Sequence, residues 1–209
     1  MEFLLIIIFA MTLVHLAIAE RLTRHIWLLG IQGVLLFGIG LLRLSHIDLT
    51  HLLFILTETL VFKAFFVPIY LERIRKYNHV SKVSKKPFPA YYSAIFSGIA
   101  IGIGFLMGYY LHETHMHSKI LSISVSAMIV GLYIIIVHQT VLSHMMGYLV
   151  IENGIFLLSL AVGAEMPIMV SGAVLLDIFI GVLVLGLFIN RVGDKFHDMS
   201  AENLTSLKD

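Results

Sequence analysis

Long apolar runs broken by short polar clusters cover this chain from end to end. A transmembrane helix needs roughly 20 apolar residues to cross about 30 Å of hydrocarbon. Seven runs approach that length, at 3–19, 26–43, 50–72, 89–111, 119–138, 145–163 and 167–190. The clusters that punctuate them read "ERLTRH", "RLSHIDLTH", "RIRKYNHVSKVSKK", "HETHMHSK", "HQTVLSH" and "GAEMP". The pattern predicts an all-α, polytopic membrane protein of about seven transmembrane helices, with the least distinct boundary between the fifth and the sixth.

Composition removes the soluble alternative. Of 209 residues 59% are apolar and 13% charged, and the mean hydropathy is +0.96, outside the range of soluble domains. A net charge of +1 leaves the electrostatic information in where charges fall, not in their sum, and supports no nucleic-acid partner. The absence of cysteine excludes disulfides, thiolate-held iron–sulfur clusters and cysteine nucleophiles from this chain. Residues 1–19 lack the basic start and small-residue cleavage site of a signal peptide, so they are read as a retained first helix.

Basic residues set the expected sidedness, because loops rich in Lys and Arg stay cytoplasmic. Arg73, Arg75, Lys76, Lys82, Lys85 and Lys86 lie in the third loop and Arg21 and Arg24 in the first, whereas the even-numbered loops carry only Arg43 and Lys119. The N-terminus is therefore expected outside, and the C-terminal tail with Arg191 and Lys195 in the cytoplasm. The basic third loop, with Pro87 and Pro89, is the one internal boundary, and no internal repeat emerges. In the fourth run Ala94, Gly98 and Gly102 form one small-residue stripe and Ala100, Gly104 and Gly108 another. Either stripe lets helices approach closely.

Ionisable residues inside the runs are the candidate chemistry, since each costs roughly 2.5 to 3.5 kcal/mol on insertion scales and so tends to face protein or water. Four stand out: Glu58 and Lys63 in the third run, Glu152 in the sixth and Asp177 in the seventh. At 1.5 Å per residue all four fall about 11 to 15 Å from a helix end. That is a belt at mid-depth, suited to sideways relay of charge, rather than a ladder across the membrane. In an α-helix Glu58 and Lys63, five apart, are separated by about 140° and are not expected to form a same-face pair. Lys63 is either a relay group or the structural partner of an acid on another helix. Glu152 and Asp177 are either relay carboxyls or neutral acids that bond helices together. A desolvated carboxyl is drawn toward neutrality and a nearby lysine draws it back, a balance that allows proton exchange near pH 7. Asn153 beside Glu152 is read equally as a donor to nearby water or carbonyl and as helix-to-helix glue.

The histidines offer less. His112, His115 and His117 with Glu113 crowd the fourth loop without defined zinc spacing. His15 has no second axial histidine at matching depth for a haem. His138 and His144 bracket the inner end of the fifth and sixth runs, where protons can come in or where two interfacial polar side chains simply meet water. No phosphate loop, nucleophile elbow or catalytic triad is present, so no active site is expected in this chain.

The segments "VLSHMMGYLVIENGIFLLSLAVG" and "GAVLLDIFIGVLVLGLFINRV" resemble the three-helix K subunit of bacterial complex I and the C subunit of multi-subunit sodium/proton antiporters. Together with "FKAFFVPIYL" and the closing "NLTSLKD", they resemble the longer hydrogenase-4 component E family of formate hydrogenlyase-type, group 4 membrane-bound hydrogenases. The likeness spans most of the chain. It implies a front three-helix group at 1–75, a basic cytoplasmic loop at 76–88, a fourth helix and outer loop at 89–118, a K-like three-helix region at 119–191 and a cytoplasmic tail at 192–209. In the K subunit two glutamates on consecutive helices form part of a buried proton path. Asp177 falls on the second position and Leu149 on the first, with Glu152 offered about one turn later.

The resemblance further implies a proton-translocating subunit of a complex I-related hydrogenase in a prokaryotic inner membrane. Expected partners are antiporter-like membrane subunits, a complex I H-like subunit and a peripheral hydrogenase arm, within a lipid bilayer. No cofactor is expected in this chain; nickel–iron and iron–sulfur centres are expected in the partners. The rival readings are a subunit of a cation/proton antiporter and a structural spacer.

Overall fold

The computed structural model describes residues 1–43, 52–53, 55–77, 89–111 and 117–162. Among the described residues the fold is helical, without strands. Helix α1 covers Glu2–Ile18 and α2 Leu22–Arg43. A rod in two parts follows: a π-helical segment, α3, at Leu56–Phe66, which runs without a break into α4 at Val67–Tyr77. Helices α5 at Ala90–Tyr110, α6 at Ser118–Val137 and α7 at Val141–Val162 follow among the described residues. Four of these, α2, α5, α6 and α7, are long and apolar enough to cross a membrane, and α1 is a shorter apolar helix. The result is a membrane-embedded bundle. The seventh run at 167–190, with Asp177, and the C-terminal tail lie outside the described residues.

Two boundaries differ from the hydropathy pattern for local reasons. The third run extends past 72 to Tyr77, because Glu72 pairs with Arg75 at 2.6 Å and with Lys76 at 3.7 Å along the helix surface, so charged residues continue the rod instead of ending it. Helices α6 and α7, which correspond to the fifth and sixth apolar runs, are joined by residues 138–140 alone. Thr140 Oγ1 there accepts the Ser143 backbone N–H at 3.3 Å, an N-cap that starts α7 four residues earlier than the apolar run does.

Glycine sets the closest packing. Helices α6 and α7 form an antiparallel hairpin in which Gly131 faces Gly147, and a Cβ on either would lie 2.7 or 2.8 Å from the other's carbonyl oxygen. Helix α5 packs on α6 through Gly104 and Gly108, where a Cβ would collide with Ser122 and Ser126. Among the described residues this stripe alone makes a close contact; none of them lies within 4 Å of a Cβ built on Gly98 or Gly102. Helix α1 lies against α2, α5 and α6, while α2 bridges to α7, α3 and α4. Phe9, Leu13, Leu16, Leu36, Ile39 and Ile134 are fully buried between these rods. Large apolar side chains such as Trp27, Phe105 and Ile136 face outward, as a lipid-facing surface requires.

Candidate functional site

Buried polar and charged residues of α1, α2, α3 and α7 meet between these helices. Lys63 Nζ lies 2.7 Å from Glu152 Oε1 and 3.6 Å from Glu58 Oε1. Side-chain exposure is 4% for Lys63, 4% for Glu58 and 5% for Glu152, so the triad is screened very little by water. The face of the Phe156 ring, 5.0 Å from the ammonium, adds a cation–π contact.

Glu58 and Lys63 thus do form a pair, against the expectation from α-helical geometry. The cause is the π-helix. Its hydrogen bonds run from i to i+5, so residues five apart return to nearly the same side of the rod instead of lying about 140° apart. Gly33 completes the arrangement, since a Cβ there would sit 2.6 Å from Ala64 N and 2.8 Å from the Lys63 carbonyl carbon. A bare α2 backbone at Gly33 lets α3 approach closely enough for Lys63 to reach Glu152 on α7.

Beside the triad runs an uncharged chain. Asn153 Nδ2 donates to Gln32 Oε1 at 3.0 Å, Gln32 Nε2 donates to Thr12 Oγ1 at 3.1 Å, and the Thr12 hydroxyl donates to the Phe9 carbonyl at 2.6 Å. All three side chains are buried. Asn153 is therefore a link between helices, the second of its two readings. Gln32 and Thr12 were missed from the sequence; the available signal was a lone amide inside the apolar α2, between Gly30 and Gly33, since an intramembrane amide seeks a partner on another helix.

Comparison of the chain with protein-family models, with curated proteins and with solved structures found no match.

His138 and His144 lie apart from the triad. The buried His138 ring meets the buried His25 ring edge-on, with centroids 5.4 Å apart and planes at 88°. His138 Nδ1 donates to the Ile134 carbonyl at 3.0 Å, and His144 Nε2 donates to the His138 carbonyl at 2.7 Å. His144 is about 12 Å along α7 from Glu152. Met145, Met146 and Leu149, all buried, occupy the intervening turns, with Leu149 at the position where the K-subunit resemblance places its first acid. At the opposite end of the bundle Arg43 pairs with Glu2 and donates from Nη1 to His117 Nδ1 at 2.8 Å, so that ring nitrogen is engaged by an arginine. His112, Glu113 and His115 lie outside the described residues. His15 faces outward and bonds the Met11 carbonyl at 2.8 Å.

Proposed function

We propose that this chain is a proton-conducting membrane-arm subunit of a complex I-related hydrogenase, of the formate hydrogenlyase type. The observation that carries the proposal is a buried lysine held between two buried carboxylates on different rods, Glu152 at 2.7 Å and Glu58 at 3.6 Å. Such a cation couples its two neighbours. A proton taken up by one carboxyl weakens that side of the pair and frees Lys63 to favour the charged form of the other. Protonation at Glu152 thereby promotes proton loss at Glu58, and the reverse, so that charge moves sideways at constant depth.

In this reading Asp177, on the seventh span, is the next group beyond Glu152, and His138 and His144 are where protons come in from the cytoplasmic side. The chain has seven spans, with its N-terminus outside and its C-terminus in the cytoplasm of a prokaryotic cell. Antiporter-like subunits and a complex I H-like subunit flank it, and a peripheral arm bearing nickel–iron and iron–sulfur centres supplies the redox energy. Support comes from the resemblance of "GYLVIENG", "LLDIFIGVLV" and "FKAFFVPIYL" and from the position of Lys63 and Glu152 in one cluster.

The test is Glu152→Gln and, separately, Asp177→Asn in the assembled complex purified through this chain. Proton translocation falls in each, or turnover slows if coupling is tight; unchanged values in both overturn the relay. Nickel and iron co-purifying with the chain support the hydrogenase assignment. Sodium-dependent proton flux from a metal-free assembly would instead place it in a cation/proton antiporter.

A further inference from the structure

We propose that the groove between α2 and the α3/α4 rod binds an anionic phospholipid from the leaflet bordered by Arg73 and Lys76. The groove has a volume of about 1000 Å³. Gly30, Ala64 and Pro68 form its floor, because the missing side chain at Gly30 leaves the Ala64 carbonyl and the Pro68 ring just over 3 Å from where a Cβ would be. Ile31, Val34 and Phe65 line it with hydrocarbon. The two rods run antiparallel, so Val34 and Ala64 mark one end of the groove, and Trp27, Arg73 and Lys76 the other.

Length and charge select the occupant. From Ile26 to Val34 the lining covers about 12 Å of α2, close to the depth of one leaflet, half of the roughly 30 Å hydrocarbon core. The lining then stops, although α2 continues to Arg43. A transmembrane partner helix packs along the whole core, whereas an acyl chain needs only one leaflet. At the wide end Glu72 is held by Arg75 through bonds of 2.6 and 2.9 Å. Arg73 and Lys76 then leave the segment 72–76 with an excess of positive charge, and the Lys76 side chain is 71% exposed. A basic pair above an apolar slot is complementary to an anionic headgroup with its acyl chains below. Trp27, 71% exposed at the same end, has the amphipathic ring that settles at headgroup level.

Trp27 is the chain's single tryptophan, so all tryptophan emission comes from the mouth of this groove. The full-length protein is reconstituted in phosphatidylcholine vesicles containing a graded fraction of phosphatidylglycerol brominated on its acyl chains, or of phosphatidylcholine brominated in the same way. Bromine in contact with the indole quenches its fluorescence. Half-maximal quenching is expected at a lower mole fraction of the brominated phosphatidylglycerol, by about fivefold for each cation engaged. The double substitution Arg73→Gln, Lys76→Gln, at two exposed sites, brings the two curves together without abolishing quenching. Equal curves in the unsubstituted protein overturn the proposal, since Trp27 then meets bulk lipid only. Absence of quenching by either lipid also overturns it and identifies a protein segment as the occupant.

Discussion

Lys63 is the residue on which the interior depends, because removing it takes away the cation that faces both buried acids. Lys63→Met should destabilise the protein by about 3 to 5 kcal/mol, the usual consequence of breaking a buried ion pair by deleting one partner, seen as a lowered unfolding temperature in detergent. Replacing the whole triad with Lys63→Met, Glu58→Leu and Glu152→Leu should return most of that stability, since the desolvation of three charges disappears together. Proton translocation by the assembled complex should stay lost in the triple variant. Recovery of both would leave the triad a purely structural device. A smaller effect belongs to Gln32, the middle of the Thr12–Gln32–Asn153 chain. Gln32→Leu leaves the Asn153 amide without its acceptor and should cost about 1 to 3 kcal/mol in the same unfolding measurement. Glu58, Lys63 and Glu152 were recognisable one by one from their position in apolar runs. That they meet was not, since chain separation says nothing about which faces of distant helices adjoin.

At the scale of elements, the π-helix of α3 and the bare backbone of α2 at Gly33 act together. A one-residue change in hydrogen-bond span turns Glu58 and Lys63 to the same side, and the missing Cβ brings that side against the α2 backbone. Gly33→Ala should therefore push α3 outward, at a cost of about 1 to 3 kcal/mol, with a clear fall in unfolding temperature. Gly98→Ala and Gly102→Ala on α5 provide the contrast. Among the described residues nothing approaches either position, and each should change stability by no more than about 0.5 kcal/mol. The apolar runs predicted these helices to within a few residues, but the period of 3.6 assumed for all of them gave the wrong rotation where it mattered most. Propensity does not announce a π-helix, because the same residues satisfy either hydrogen-bond pattern and neighbouring helices select between them.

For the whole molecule, the ends of the bundle are chemically distinct. Arg73, Arg75 and Lys76 close α4, and the Glu2–Arg43–His117 cluster with Lys119 over the Phe3 ring closes the other side. The proposed topology puts Lys76 in the cytoplasm and Lys119 outside. The chain lacks cysteine, so Lys76→Cys and Lys119→Cys each give a single thiol. An impermeant maleimide applied to intact cells should label the second and spare the first until the membrane is opened; the reverse pattern inverts the proposed orientation.

That the chain is helical and belongs in a bilayer was legible in its residues, because the length and polarity of each run decide what an isolated segment can do in hydrocarbon. It also marked the charges that had to be hidden. How they are hidden emerged from helix packing: the glycine stripe on which α5 meets α6, the π-turn that rotates Lys63, and the cation that Glu152 finds on a rod some ninety residues away in the chain. Those outcomes follow from the mutual fit of helix surfaces, a property of several segments at once that no single segment contains.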